Sequence, residues 1–240
     1  RSSDLAVAEE KAAEEVKPSH VEMVLVLDES GSMSDLTRDT IGGFNSMIEK
    51  EKKLDVDAHV TTVLFNDQYK MLYNRRELKD VSKMTDKDYT PGGMTALLDA
   101  VGRTIHKMDM VAGIHRKDKG NKVLFVIITD GEENDSKEYT YADVKKLIKD
   151  RQENAGWEFI FLGANIDAAA AAENLGIDRD RAVKYKNTGS GVRANFKAVA
   201  ELSDSLAKSG RVSDRWKETV EKDEDDAADK QSAAVTSHRR

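Results

Sequence analysis

The feature that most constrains the fold is a series of short apolar runs that alternate with segments of helical periodicity. Residues 21–27 and 123–128 are almost continuously apolar, as expected for strands that are buried on both faces of a parallel sheet. Residues 60–65 and 69–73 are two further strand-like runs. Only Asn66-Asp67-Gln68 separates them, which predicts an antiparallel hairpin. All these runs are too short to cross a bilayer.

The remaining segments supply the helices and the later strands. Apolar residues at near-helical spacing predict helices around positions 41–54, 97–108, 141–148, 168–175 and 196–206, and two more strands are expected at 157–162 and 182–185. Strands that alternate with helices indicate an α/β fold. We therefore predict a three-layer sandwich, with a mostly parallel, doubly wound sheet and one antiparallel edge strand.

Charge and composition divide the chain further. The 240 residues carry a net charge of −7, and residues 1–19 and 213–240 each contribute −2. We expect a charged N-terminal extension over 1–19 (with a short helix at 5–16), a single domain over 20–212, and a charged, disordered tail over 213–240. The net charge argues against a general nucleic-acid binder. The domain itself is nearly balanced in charge, so the acidity says little about its partners.

Two other properties exclude whole classes of function. With no cysteine in the chain, disulfides, thiolate nucleophiles and zinc–thiolate sites are excluded. The first twenty residues lack a hydrophobic stretch, so no signal peptide is expected. We expect a cytoplasmic protein without a membrane partner, although residue 1 is Arg rather than Met, which leaves an upstream targeting segment open.

Small polar residues collect where the predicted strands end. The first strand runs into Asp28-Glu29-Ser30-Gly31-Ser32, the central strand runs into Thr129-Asp130-Gly131, and a loop before a helix holds Gly92-Gly93-Met94-Thr95. Open α/β sheets bind ligands beyond the carboxyl ends of their strands. Carboxylates and hydroxyls together form an all-oxygen donor set, which suits a hard divalent cation such as Mg²⁺.

These three segments resemble the metal-ion-dependent adhesion site of von Willebrand factor type A (vWA) domains. That site has Asp-x-Ser-x-Ser after the first strand, a Thr after Gly-Gly, and Thr-Asp-Gly after the central strand. The resemblance covers residues 20 to about 187 and includes the order of the elements and the early hairpin. It implies that the first and central strands are neighbours in the sheet. The part beyond residue 159 looks similar to uncharacterised bacterial or phage members.

The resemblance also implies a ligand set and a binding mode. Asp28, Ser30, Ser32, Thr95 and Asp130 would hold Mg²⁺, or Mn²⁺ or Ca²⁺ in its place. The three hydroxyls would coordinate directly or through water, and the two carboxylates would orient the shell. A protein partner would complete the shell with an Asp or Glu side chain. An AAA+ ATPase or another product of the same operon is the kind of partner that such domains have.

Simpler interpretations exist for several of these residues. A lone Asp-Glu-Ser-Gly-Ser is typical of an ordinary strand-to-helix turn, and Thr95 fits a helix N-cap. Asp99 is expected to be a surface acid, and residues 132–134 to be a solvated loop. Residues 186–193 look faintly like a phosphate loop, but capping of the next helix by Thr188 or Ser190 is the favoured interpretation.

Three functions remain to be weighed. We expect a metal-dependent protein-binding module rather than an enzyme. The alternative is a metal-dependent phosphohydrolase with Asp28 as nucleophile. Such enzymes favour a second Asp two residues later, where this chain has Ser30, which cannot act as a general acid at neutral pH. A scaffold whose site stays empty is the third.

The five histidines, at 20, 59, 106, 115 and 238, show no ligand spacing, so zinc is not expected.

Overall fold

Six strands form one sheet in the order β3-β2-β1-β4-β5-β6. The computed structural model describes residues 20–111 and 121–222. The strands are β1 (His20–Asp28), β2 (Ala58–Phe65), β3 (Tyr69–Glu77), β4 (Asn121–Thr129), β5 (Glu158–Gly163) and β6 (Ala182–Lys184). β3 is antiparallel to β2, and the other four neighbouring pairs are parallel. The predicted sheet and its antiparallel edge strand are thus confirmed.

Helices cover both faces of this sheet. They are α1 (Thr37–Lys53), α2 (Leu97–Asp109), α3 (Tyr141–Asp150), α4 (Ala168–Leu175) and α5 (Gly189–Ser209). A 3₁₀ turn, Gly31–Leu36, joins β1 to α1. The predicted three-layer α/β sandwich is therefore confirmed. None of the helices within the described ranges is both long enough and apolar enough to span a membrane.

The side-chain alternation of β1 explains why residues 23–27 are apolar without interruption. Val21, Met23, Leu25 and Leu27 belong to one buried cluster, together with side chains of α1 and α5. Residues 24 and 26 belong to a second cluster, with side chains of α2, α3 and α4. Because successive residues of a strand point to opposite faces, a strand covered on both sides is apolar wherever both neighbouring positions meet the helices. Glu22, near the amino end, is the buried exception.

Local signals mark several helix ends. Thr188 caps α5 by accepting a hydrogen bond from the backbone N–H of Gly191 at 3.2 Å, so the capping interpretation of this segment is confirmed. The helical spacing over 41–54 groups Leu54 with Phe44 and Met47 on one apolar side, and the structure differs at Leu54. Leu54 is 44% exposed, because α1 ends at Lys53 and Leu54 follows its last turn.

The limits of the domain remain predictions. The expected helix over 5–16 and the chain beyond residue 222 lie outside the described residues. Within residues 213–222, which the sequence assigned to the tail, Trp216 and Val220 are 1% and 2% exposed and belong to the core cluster beside α5. A tail that begins at residue 213 therefore has to include these two core side chains.

Candidate metal centre

The carboxyl ends of β1 and β4 lie side by side where the strand order reverses. The two strands are parallel neighbours, with Leu27 opposite Ile128. From β1 the chain continues to β2 on one side of β1, and β4 lies on its other side. Asp28 is the last residue of β1, and Asp130 follows the last residue of β4. This is the position at which open α/β sheets bind ligands.

Asp28 is held rigidly by its neighbours. It is 1% exposed. Its Oδ1 accepts a hydrogen bond from the backbone N–H of Ser30 at 2.7 Å, and its Oδ2 accepts one from the Thr129 hydroxyl at 2.6 Å. The Tyr89 hydroxyl donates to the Asp28 backbone carbonyl at 2.6 Å. These contacts fix the carboxylate and tie the loop after β3 to the end of β1.

A short chain of hydrogen bonds joins the Ser loop to Asp130. The hydroxyls of Ser30 and Ser32 lie 3.1 Å apart, and Ser32 donates to Asp130 Oδ1 at 2.5 Å. The amide of Asn187 donates to Asp130 Oδ2 at 3.3 Å. Ser30 and Asp130 are each 2% exposed, whereas Ser32 is exposed. The structure thus brings four of the five predicted residues, all but Thr95, into one hydrogen-bonded group.

Thr95 reaches the same edge of the sheet from the α2 side. α2 begins at Leu97, and its N-cap is Ala96, without a side-chain cap. The backbone N–H of Thr95 donates to Asn134 Oδ1 at 2.9 Å, and its hydroxyl oxygen lies 3.8 Å from where a Cβ would stand on Gly131. Thr95 is therefore not the N-cap of α2, and its hydroxyl lies beside the residue that follows Asp130.

Two glycines let the loop before α2 lie against the Ser loop. The carbonyl of Gly93 accepts a hydrogen bond from the N–H of Gly31 at 3.2 Å, and the N–H of Gly92 donates to the carbonyl of Glu29 at 2.9 Å. Gly93 has φ +75°, and a Cβ there would stand 1.9 Å from Asp67 Oδ1. A larger residue at position 93 would therefore have to displace the Asp67 side chain in the β2–β3 turn, and it would be strained at this positive φ.

Some residues around the site have roles other than those predicted. Asp99 is 8% exposed and accepts the backbone N–H groups of residues 137, 138 and 139, each at 2.9 Å, so it is not a plain surface acid. Glu133 Oε2 accepts from the N–H of Leu98 at 2.9 Å. Asn134 orients Thr95, as described above. Residues 132 and 134 are exposed and residue 133 is half-buried, as expected of a solvated loop, and the side chains of residues 133 and 134 also brace the start of α2.

Sequence reasoning did not single out three residues that contact the predicted ligands. They are Thr129, Tyr89 and Asn187. Thr129 directly precedes Asp130 in the sequence. The pairing of β1 with β4 places it beside Asp28 on the neighbouring strand. Tyr89 and Asn187 come from distant loops, and no local pattern marks either of them.

The two buried aspartates at this edge of the sheet are both acidic, and no basic side chain of the described residues pairs with them. Among the described residues, neither Asp28 nor Asp130 forms an ion pair with a basic side chain, although both are almost fully buried. Burial raises the pKa of Asp28. Hydrogen bonds from Ser30 and Thr129 act against the rise, and the charge of Asp130 adds to it. The hydroxyl of Tyr185, 1% exposed, has no hydrogen-bond partner among these residues, and the charges of both aspartates help to raise its pKa.

This donor set fits a hard divalent cation. Two buried carboxylates and three hydroxyls offer only oxygen, the ligand type that Mg²⁺, Mn²⁺ and Ca²⁺ prefer. A buried charge without a counter-charge is expensive, and a cation at this position would balance two of them. The residues present therefore fit the group that the sequence pattern implies.

The comparisons with known proteins agree on the fold. The family described as "vWA found in TerF C terminus" matches residues 20–181. A von Willebrand factor type A structure from Catenulispora acidiphila is similar at 15% identity and TM-score 0.55, over 77% of this chain and 43% of that one. The open conformation of the pilus adhesin SpaC from Lactobacillus rhamnosus GG is similar at 14% identity and TM-score 0.62, over 80% and 31%.

A further solved structure matches over nearly its whole length. The vWF domain of the type V pili tip protein Mfa5 from Porphyromonas gingivalis is similar at 12% identity and TM-score 0.56, over 82% of this chain and 99% of that one. By contrast, the chain spans less than half of the Catenulispora and SpaC structures. No curated protein matches the chain in sequence. At these identities, the solved structures show the fold alone.

Proposed function

The chain belongs to the von Willebrand factor type A family, in the group found at the TerF C terminus, and on that premise we propose that it is a divalent-metal-dependent protein-binding module. In this proposal, Asp28, Ser30, Ser32, Thr95 and Asp130 hold the ion. Mg²⁺ is the expected occupant, with Mn²⁺ or Ca²⁺ as alternatives. An acidic side chain of a partner protein completes the coordination shell.

The observation that carries the proposal is the pair of buried aspartates at the switch point. Asp28 and Asp130 are 1% and 2% exposed, and the groups described around them are hydroxyls, amides and backbone N–H groups rather than cations. Desolvating a carboxylate costs several kcal/mol when no counter-charge is present. A bound divalent cation supplies that counter-charge, and a purely structural turn would not need two such groups.

The exposed residues around the site favour a protein as the partner. Ser32 and Gly93 are exposed, and Met94, next to Thr95, is 50% exposed. Tyr141, 44% exposed, lies close enough to the charges of Glu132 and Glu133 for them to raise its pKa, after burial as the main cause. Exposed large apolar side chains beside a polar site are typical of contact surfaces in protein complexes.

The class of partner is a wider part of the proposal. The solved structures of similar fold include a pilus adhesin and a pili tip protein, which supports a role in binding for this domain. For this chain we propose an intracellular partner, such as an AAA+ ATPase or another product of the same operon, and a cytoplasmic location. The domain over 20–212, between two charged segments, is proposed as the unit that binds.

The phosphohydrolase alternative is not favoured by the geometry. A nucleophilic carboxylate needs an oxygen that can reach the substrate. Both oxygens of Asp28 already accept short hydrogen bonds, and the residue is almost fully buried. Position 30 is a serine that lies against Ser32 rather than a second acid. No observation on this chain favours the enzyme over the binding module.

A thermal-melting experiment tests the metal. The EDTA-stripped chain should gain melting temperature on addition of Mg²⁺ or Mn²⁺, because an ion that binds only the folded state stabilises it. Asp28→Ala and Asp130→Asn should abolish the gain. Asp86→Ala, which removes an exposed acid outside the predicted ligand set, should retain it. A stripped wild-type chain that shows no response to either ion would overturn the metal site.

A capture experiment tests the partner. A protein that binds through the ion should be retained by the immobilised chain in Mg²⁺, released by EDTA and lost with Asp130→Asn. Met94→Ser should weaken capture while leaving the melting response to Mg²⁺ intact. Met110→Ser is the matched control, because Met110 is 80% exposed and follows the other end of α2. Retention that is unchanged by EDTA would contradict a metal-mediated contact.

A further inference from the structure

Three side chains with metal-binding atoms converge at the amino end of β1, opposite the aspartates. His20 and Glu22 are two residues apart on β1, and His59 lies on β2 directly opposite Glu22 in the parallel register. All three therefore project from the same face of the sheet. Their ligand atoms lie within 4.8 Å of one another. The separation of 39 positions between His20 and His59 conceals this arrangement in the sequence.

The distances among these atoms match those of a metal's ligand shell. His59 Nδ1 lies 2.9 Å from His20 Nε2 and 3.2 Å from Glu22 Oε1, and His20 Nε2 lies 3.3 Å from the same oxygen. Ligands held about 2.0–2.1 Å from a tetrahedral zinc ion stand about 3.3 Å from one another. We propose that His20, Glu22 and His59 form a second metal site, which takes Zn²⁺ or a similar transition-metal ion.

A carboxylate behind His20 sets the ring in the orientation that ligation needs. Asp57 Oδ1 lies 3.0 Å from His20 Nδ1. When Nδ1–H donates to this carboxylate, the lone pair of Nε2 faces Glu22 and His59. Such a carboxylate–histidine pair is the usual support of a zinc ligand. The side chains of His20 and His59 are 19% and 26% exposed, so an ion and a water as fourth ligand can reach the site.

Arg75 would compete with a metal ion for Glu22 and His59. Its guanidinium donates to both oxygens of Glu22, with Nε 3.0 Å from Oε2 and Nη2 against Oε1, and Nη2 also lies 3.2 Å from His59 Nδ1. An ion at Oε1 requires Nη2 to turn away while Nε keeps its contact with Oε2. The proposal therefore predicts that Arg75 weakens metal binding, which no purely structural role of the histidines would produce.

The test is a zinc titration of the full chain after removal of metals with a chelator. One Zn²⁺ should bind per chain, and His20→Asn or His59→Gln should weaken binding more than about 100-fold. Asp57→Asn should weaken it about tenfold, as loss of a residue that orients a ligand does. Arg75→Met should tighten it. The titration is run in saturating Mg²⁺, so that the proposed Asp28–Asp130 site is already occupied. His106→Ala should leave zinc binding unchanged, and so should replacement of His115 and His238 by Ala.

Several outcomes would overturn the proposal. Unchanged zinc affinity in His59→Gln or His20→Asn would do so, as would affinity lost equally in His106→Ala or in the variant with His115 and His238 replaced by Ala. Co²⁺ gives a readout that needs no variant, since an ion with these ligands should show the intense visible absorption of tetrahedral cobalt. A weak, octahedral spectrum from the wild-type chain would refute the site even if the histidine variants fold poorly.

Discussion

The two ends of β1 bury carboxylates in opposite electrostatic surroundings. Glu22 at the amino end is 4% exposed, and Asp28 at the carboxyl end is 1% exposed. Burial raises the pKa of both. At Glu22, hydrogen bonds from His20 and Arg75 outweigh burial and lower the pKa to about 2, whereas the pKa of Asp28 stays raised. The same degree of burial thus has different consequences, depending on whether the protein itself supplies the counter-charge.

A third buried carboxylate shows a further solution. Glu51, between α1 and α5, is 0% exposed, and its Oε2 accepts a hydrogen bond from Ser203 at 2.8 Å. Its Oε1 has no hydrogen-bond partner among the described residues. Burial raises the pKa of Glu51 to about 7, and the charge of Asp204 adds to the rise. Arg75 compensates the charge of Glu22, and we propose that a metal ion compensates that of Asp28. Protonation compensates the burial of Glu51.

The largest effect is expected from removing the arginine. In EDTA, Arg75→Met should lower the free energy of unfolding by about 4 kcal/mol at neutral pH, because it leaves the buried Glu22 charge with only the two histidines as partners. Urea denaturation measures this change. The double variant Glu22→Gln with Arg75→Met should recover part of the loss. A loss below about 1 kcal/mol in the single variant would mean that the histidines alone compensate Glu22.

The next effect is the pH dependence due to Glu51. Its pKa in the folded state, about 7, lies above the ordinary value of 4.5, so the folded state binds this proton more tightly than the unfolded state does. The stabilisation is fully present below about pH 4.5 and is lost as pH rises through 7. The loss amounts to about 3 kcal/mol.

Glu51→Gln isolates that contribution. Unfolding free energies of the wild type and the variant, measured by urea denaturation between pH 5 and 8, should differ in slope. The variant should lack the decline attributed to Glu51 and become the more stable of the two above pH 7. Parallel curves for the two proteins would show that Glu51 titrates normally.

The smallest effects are expected at the aspartates. Wild-type protein should gain about 1.4 kcal/mol when free Mg²⁺ is ten times its dissociation constant. In EDTA, Asp130→Asn should change stability by less than about 1 kcal/mol, since it removes a charge that no basic side chain compensates. Calorimetric melts with and without Mg²⁺ measure both quantities. A loss as large as that of Arg75→Met, without metal, would mean that the protein compensates Asp130 internally.

Much of the fold was predictable because its signals are local. The predicted helix at 168–175 has the same limits in α4, and the apolar run at 123–128 lies within β4. A run of six apolar residues, rich in Val and Ile, is too short for a typical helix and indicates a strand covered on both faces. The short turn after residue 65 indicates a hairpin. Leu54 was placed wrongly because helical periodicity does not reveal where α1 ends.

The candidate site was predictable in part for the same reason. Asp28 and Asp130 follow strands, and parallel strands that are neighbours must end at the same edge of the sheet. Tyr89, Asn187 and Asp99 were missed or misjudged because their contacts come from loops that only the folded chain brings together. Whether an ion binds among the five predicted residues stays a prediction.

The sequence by itself determined which segments are strands and helices, and which oxygen-bearing residues stand at strand ends. Hydrophobic periodicity and turn chemistry act over a few residues, so both can be read along the chain. Only the tertiary structure decided that Glu22 lies opposite His59 and that Arg75 reaches both. Those pairings depend on the register between strands. Packing of the whole sheet sets that register, and no short segment contains it.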